Sequence, residues 1–221
     1  MEDVLVSWSG GKDSCLALYE LQRAGRHRVA ALLTTVTKDY DRVSMHGVRR
    51  ALLERQTESL GLPLRQVFIP KGATNEEYER EMAEAFTGYR AEGIDKVVFG
   101  DLFLEDVRAY REQFLARHGM RGLYPVWMRD TGEFVRKFIA LGFRAVVTCV
   151  SAEALDGSFA GRLIDEEFLA SLPADVDPCG ENGEFHSFVF AGPSFKDEVR
   201  FTVGERVLRD SFWFCDLVPE G

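Results

Sequence analysis

The sequence predicts an α/β fold: a parallel sheet covered by helices on both faces, followed by a smaller α+β part. Three observations carry this. Strand and helix signals alternate through the first half at a spacing that suits right-handed crossovers. Polar or glycine-containing tips end these strands at Ser9–Ser14, Thr34–Thr35 and Gly100–Asp101, the carboxyl ends where such sheets bind ligands. After residue 150 the pattern changes: nine of the 17 phenylalanines lie there, in short runs separated by Gly and Pro.

Val4-Leu5-Val6 is a short apolar run that ends at Ser9-Gly10-Gly11 and reads as the first strand. Ser14 to Leu21 then reads as a largely buried helix, stopped by Gly25. Val29 to Val36 is β-branched and aliphatic, which suits a central strand. Val48, Leu52, Gln56 and Leu60 share one helical face, and Gly61 with Pro63 ends that helix. Leu64 to Ile69 is a further strand. Asn75 is expected to cap a helix striped by Tyr78, Met82, Ala85, Phe86 and Tyr89. Lys96 to Phe99 reads as the fourth strand, helices follow near 105–118 and 133–141, and Phe143 to Val150 reads as a fifth strand. The runs 185–190, 199–203 and 211–218 look like antiparallel strands. The boundary is placed at 124/125. No linker composition marks it, so the halves are expected to pack tightly.

With 221 residues, 46% apolar content and a net charge of −9, the chain is neither disordered nor collagen-like. The acidic balance argues against nucleic acid or anionic lipid as a partner. The opening Met1-Glu2-Asp3 lacks a basic stretch, and the apolar run at 29–36 is too short to span a bilayer. The expectation is a cytoplasmic protein without membrane contact. Cys15, Cys149, Cys179 and Cys215 are far apart with no CxxC, which predicts free buried thiols. Cys179, in a Gly-rich polar loop, is the one expected to be reachable.

Ser9-Gly10-Gly11-Lys12-Asp13-Ser14 joins the first strand directly to the first helix. Two glycines let backbone N–H groups approach an anion, and the helix N-terminus adds its positive end. Ser9 and Ser14 offer hydroxyls, Lys12 a charge, and Asp13 a carboxylate suited to Mg²⁺ or to orienting the loop. The pattern is neither GxxxxGK[ST] nor GxGxxG. A second constellation, Asp177 to Ser187, packs carboxylates, an amide, an imidazole and two glycines ahead of a strand. If Glu184 begins that strand, Glu184 and His186 share a face while Phe185 points into a core. Glu181, Glu184 and His186 suit binding of an amine or removal of a proton from attacking ammonia. Among the other polar residues, His46 is expected to face the site. Thr34 and Thr35 are placed at a strand end beside the site, Asp101 by Mg²⁺ or substrate, and Trp127 as packing between the halves.

Ser9–Ser14 resembles the PP-loop of the N-type ATP pyrophosphatases. Joined with His46, Phe99-Gly100-Asp101, Gly122–Trp127 and the Gly180–Ser187 element, it makes nearly the full chain similar to the diphthine–ammonia ligase family. The stretch Leu102–Arg108 and Met45 before His46 resemble the bacterial branch. The resemblance implies a HUP-type (Rossmann-like) ATP-binding domain over 1–124 and a substrate domain over 125–221. It implies that a carboxylate is adenylated with release of pyrophosphate, and that free ammonia displaces AMP. ATP and Mg²⁺ are the cofactors it implies. Lys12, Asp13, Glu181, Glu184 and His186 are then expected to be catalytic. Ser9 to Ser14, Thr34, Thr35, His46, Gly100 and Asp101 bind ATP, with Asp13 and Asp101 holding Mg²⁺. Arg108, Glu112, Asn182 and Gly183 meet the carboxylate substrate, small or protein-borne, and assembly as a homodimer is compatible with the sequence. A tRNA-modifying PP-loop enzyme and a non-catalytic ATP sensor stay open as alternatives.

Overall fold

The computed structural model describes residues 1–220. Its first sheet runs in the order β4 (Leu64–Ile69), β2 (His27–Thr37), β1 (Glu2–Ser7), β5 (Lys96–Val98), β6 (Arg121–Leu123), all parallel. The two-residue β3 (Arg42–Val43) adds antiparallel to the end of β2. Side chains alternate across this sheet. Val4, Val6 and Leu32 face the helices α1 (Lys12–Ala24) and α2 (Arg50–Leu60), while Leu5, Leu33 and Val97 face α3 (Asn75–Ala91) and α4 (Glu105–Arg117). Both faces are therefore covered, as the apolar strands require.

Behind α5 (Thr131–Ala140) and β7 (Arg144–Ser151) comes a short helix, α6 (Glu166–Ser171), and then β8 (Phe185–Ala191), β9 (Phe201–Arg209) and β10 (Phe212–Pro219). These strands form a second, antiparallel sheet in the order β8-β7-β10-β9. The segment read as a fifth strand of the first sheet is β7, at the centre of the second; the first sheet is completed by β6, whose three residues are too few to show a pattern. Three boundaries also differ. The second helix begins at Arg50, leaving Val48 in the preceding loop. Thr74 rather than Asn75 caps α3, its hydroxyl and the Glu77 side chain satisfying each other's backbone N–H. The strand expected over 199–203 extends instead through Arg209.

One core cluster runs through both halves. Val6, Leu16, Leu18 and Leu52 from the first pack with Phe134, Phe138, Val146 and Phe188 from the second. Polar contacts tie β8 to the loop after β1. Val189 N–H donates to the Gly10 carbonyl at 2.9 Å, and the Lys12 N–H donates to Ser187 Oγ at 3.2 Å. Fully buried Gln56 completes the joint: its Nε2 donates to the carbonyls of Gly10 (2.9 Å) and Val189 (2.6 Å) while its Oε1 accepts from the Trp8 indole at 2.9 Å.

Candidate active site

The loop from Ser9 to Ser14 is held by its own side chains. Gly10 takes φ 77°, a conformation that costs a side-chain-bearing residue dearly. Ser9 Oγ accepts from Gly11 N–H at 3.2 Å, and Ser14 Oγ donates to the Gly11 carbonyl at 3.0 Å. Helix α1 starts at Lys12, so amides without helical partners face the loop's mouth. The end of β5 presses against this turn: a Cβ on Gly100 would lie 2.7 Å from the Asp13 carbonyl carbon. Only glycine lets the two strand tips close in this way.

Lys12 is buried, with Nζ 3.0 Å from Asp13 Oδ2 and 5.2 Å from the centre of the Phe185 ring. Burial is the largest influence and works against its charge, but the attraction and hydrogen bond of the Asp13 carboxylate, with Cys179 and Glu181 nearby, together outweigh it and the pKa is raised. A fixed cation thus stands behind a ring of amides, the arrangement an anionic leaving group needs. The loop opens into a cavity of about 530 Å³. Ser9, Lys12, Asp13, Ser14, Gly100 and Asp101 form one wall of it, and Gly180 to Gly183, Phe185, His186 and Ser187 form another, with His46 between.

Glu181 reaches across this cavity to accept from Leu102 N–H at 2.7 Å. Burial, with Asp13 nearby, pushes its pKa up to about 7 against the pull of that N–H. The carboxyl is therefore poised to exchange a proton near neutrality. The His46 and His186 rings lie against each other with centres 4.6 Å apart and planes tilted by 35°. His46 Nδ1 lies 3.2 Å from the Ser187 carbonyl, which can only accept, so that nitrogen carries the proton. Burial lowers the two imidazoles to about 4 and about 3, helped at His186 by His46 and Lys12, and both are neutral at physiological pH. Asn182 and Gly183 line the same cavity.

Several expected residues are placed elsewhere. β2 continues to Thr37, so Thr34 and Thr35 lie within the strand, opposite Gln66 and Val67 of β4, and neither lines the cavity. Glu184 precedes β8 rather than beginning it, and turns away from the cavity. Its Oε1 accepts from Asp177 N–H and Asn182 Nδ2, both at 3.1 Å, bracing the turn that presents Glu181. Phe185, expected to point only into the core, forms part of the cavity wall beneath Lys12. Arg108 pairs with Glu112 at 2.8 Å and lies over Tyr124 and Trp127, outside the cavity. Trp127 accordingly packs on Arg108 and Tyr124. Cys179 is buried, its thiol donating to the Thr131 carbonyl, and burial pushes its pKa up. The four cysteines are all free and buried.

The structure adds one polar residue the sequence pattern did not single out, Arg111, and gives new roles to others. Arg111, one helical turn beyond Arg108, lines the cavity and pairs with Asp101 at 3.1 Å while lying 4.5 Å over the Phe99 ring. Gln56 and Ser187 anchor the loop, and Asp177 Oδ1 accepts from the N–H groups of Cys179 and Glu181. Arg111, Ser7, Phe99 and Val107 also line an adjoining cleft of about 430 Å³ between α3 and α4, walled by Tyr78 and Phe114. No helix among the described residues is long and apolar enough to cross a membrane.

Comparison with known proteins adds to this geometry. Residues 2–122 match the family described as Diphthamide synthase N-terminal domain, and residues 130–218 the family described as Diphthamide synthase C-terminal domain. The diphthine–ammonia ligase of Danio rerio is 26% identical over 230 residues, covering 95% of this chain and 90% of its own length. That of Homo sapiens is 24% identical over 233 residues, with 95% and 86% covered. Against the Schizosaccharomyces pombe diphthine–ammonia ligase, 25% identical over 228 residues, the chain spans 38% of the relative's length. Among solved structures, a predicted subunit of tRNA methyltransferase from Methanocaldococcus jannaschii aligns with TM-score 0.44 at 15% identity, over 65% of this chain and 77% of that one. The U34-tRNA thiolase NcsA of Methanococcus maripaludis aligns with TM-score 0.40 at 13% identity, over 64% and 57%.

Proposed function

Because the chain belongs to the diphthamide synthase family, we propose that it is an ATP-dependent amide ligase that forms AMP and pyrophosphate, adenylating a carboxylate and passing the activated acyl group to ammonia. The observation that carries this reading is the shared cavity. A buried lysine in a glycine loop at a helix N-terminus stands on one wall, and a carboxyl poised near pH 7 stands on the other.

In this reading Ser9 to Ser14 hold the phosphates through backbone amides and hydroxyls, and Lys12 stabilises pyrophosphate as it leaves. The adenosine lies in the adjoining cleft lined by Ser7, Leu33 and Phe99, in place of the expected Thr34 and Thr35. Asp13 Oδ1 is buried without a hydrogen-bond partner on the same cavity wall as Asp101, whose Oδ2 is paired with Arg111, so the Asp13 carboxylate, with Asp101 beside it, fits a Mg²⁺ ion. Such an ion supplies charge neutralisation to the phosphates when bound. Glu181 takes a proton from the incoming ammonium, and neutral His46 and His186 line the approach without competing for it. Arg111, rather than Arg108, is positioned to meet the anionic substrate. Residues 1–124 carry the ATP site and 125–221 supply the wall that closes it.

The test is consumption of ATP with Mg²⁺ and ammonium against fractionated carboxylate-containing extracts, with AMP and ADP read separately. AMP with pyrophosphate, lost in Lys12→Ala, supports the reading; ADP overturns it. Glu181→Gln is expected to lower amide formation about a hundredfold or more while sparing ATP binding.

A further inference from the structure

β9 closes one side of the second sheet, and no strand lies beyond it among the described residues. Outer strands of solitary chains are usually blunted by prolines, lysines or short length, because their unpaired N–H and C=O groups invite another chain. β9 runs nine residues, Phe201-Thr-Val-Gly-Glu-Arg-Val-Leu-Arg209, without a proline or a lysine, and its one bulge falls at Gly204–Glu205, leaving Arg206–Arg209 in regular pairing. Its Val203, Val207 and Leu208 are 50%, 38% and 49% exposed.

The strand is complementary to itself. Arg209 and Phe212 flank the two-residue turn Asp210–Ser211, so their main-chain groups face each other. Alternation then turns the main-chain groups of Arg206 and Leu208 outward. Two antiparallel copies with Val207 opposite Val207 set Arg206 against Leu208 in both directions, each pair exchanging its main-chain hydrogen bonds. The same register places Glu205 of each copy opposite Arg209 of the other. The ion pairs near this strand are those of Arg42 and Arg49 with Asp216; Glu205 and Arg209 have no ionic partner among the described residues. Of the two neighbouring twofold registers, one sets Arg206 against Arg206, and the other, with Leu208 against Leu208, carries Glu205 past Arg209 to Ser211 of the turn.

We infer that β9 is the contact strand of a homodimer, in which the second sheets of two copies join edge to edge about a twofold axis at Val207. The contact is isologous, so it closes on itself and leaves no free edge for a third chain.

Analytical ultracentrifugation of the full chain tests this. The expected species has twice the 25.0 kDa mass of the chain. Glu205→Arg and Arg209→Glu are each expected to raise the dissociation constant about tenfold or more, since two cross-strand pairs change sign. An equimolar mixture of the two single variants restores association, because every cross-strand pair is again of opposite charge. Circular dichroism of each variant shows that it is folded. A 25.0 kDa species at every concentration overturns the inference. So does a dimer whose dissociation constant ignores the single reversals, or a mixture that fails to reassociate.

Discussion

With its pKa near 7, Glu181 titrates close to physiological pH, while the neighbouring imidazoles, at about 4 and 3, do not. The ammonia-dependent rate is therefore expected to rise through pH 7 and level off above it, and Glu181→Gln should erase that limb; a limb that survives the substitution removes Glu181 as the base. The same carboxyl bears on stability. Its pKa is raised on folding from the ordinary 4.5, so its contribution is complete below about pH 4.5 and is lost as pH rises through 7. Urea titrations should thus find Glu181→Gln gaining on the wild type between those limits. Lys12→Ala removes the buried partner of Asp13 as well as the cation, and is expected to cost about 2–3 kcal/mol in urea unfolding, besides its effect on pyrophosphate release. Lys12 was legible because the whole loop is contiguous in sequence. Arg111 was not: its pairing with Asp101 joins two elements, and no spacing distinguishes it from Arg108, one turn earlier on the same helix.

At the level of elements, the turn from Asp177 to Gly183 shows how a side chain's placement depends on where a strand starts. The expected chemistry of Glu184 rests on the premise that it begins a strand, whereas β8 starts at Phe185. Glu184 accepts from Asp177 N–H and Asn182 Nδ2 instead. Glu184→Gln is accordingly expected to lower stability by about 1–2 kcal/mol in thermal or urea unfolding and to leave the pH dependence of turnover in place; a shifted pH profile would return it to the reacting centre. The strands tell a parallel story. β7 is an apolar run as suited to a parallel sheet as to an antiparallel one, so its sequence could not say which sheet it joins. β6 has three residues, and its place beside β5 is set by pairing rather than by pattern. Helices α2, α3 and α5 were more legible, since each buries a stripe with a 3.6-residue period, and α1 and α2 stop at glycine.

In the whole molecule, the change of pattern between the two halves was visible in the sequence, but their interdependence was not. The shared core joins Leu16, Leu18 and Leu52 to Phe134, Phe138 and Phe188, contacts between distant residues that no local signal marks. Residues 1–124 expressed alone are therefore expected to be unstable, and the intact chain should melt in one calorimetric transition. Two separate transitions, or a folded 1–124 fragment, would show that each half holds its own core. The long-range bonds at the loop have a consequence for synthesis. Ser187, the partner of the Lys12 backbone N–H, follows it by 175 residues and so leaves the ribosome long after the loop. A nascent chain thus carries the glycine loop through the synthesis of all those residues without the strand that fixes its shape.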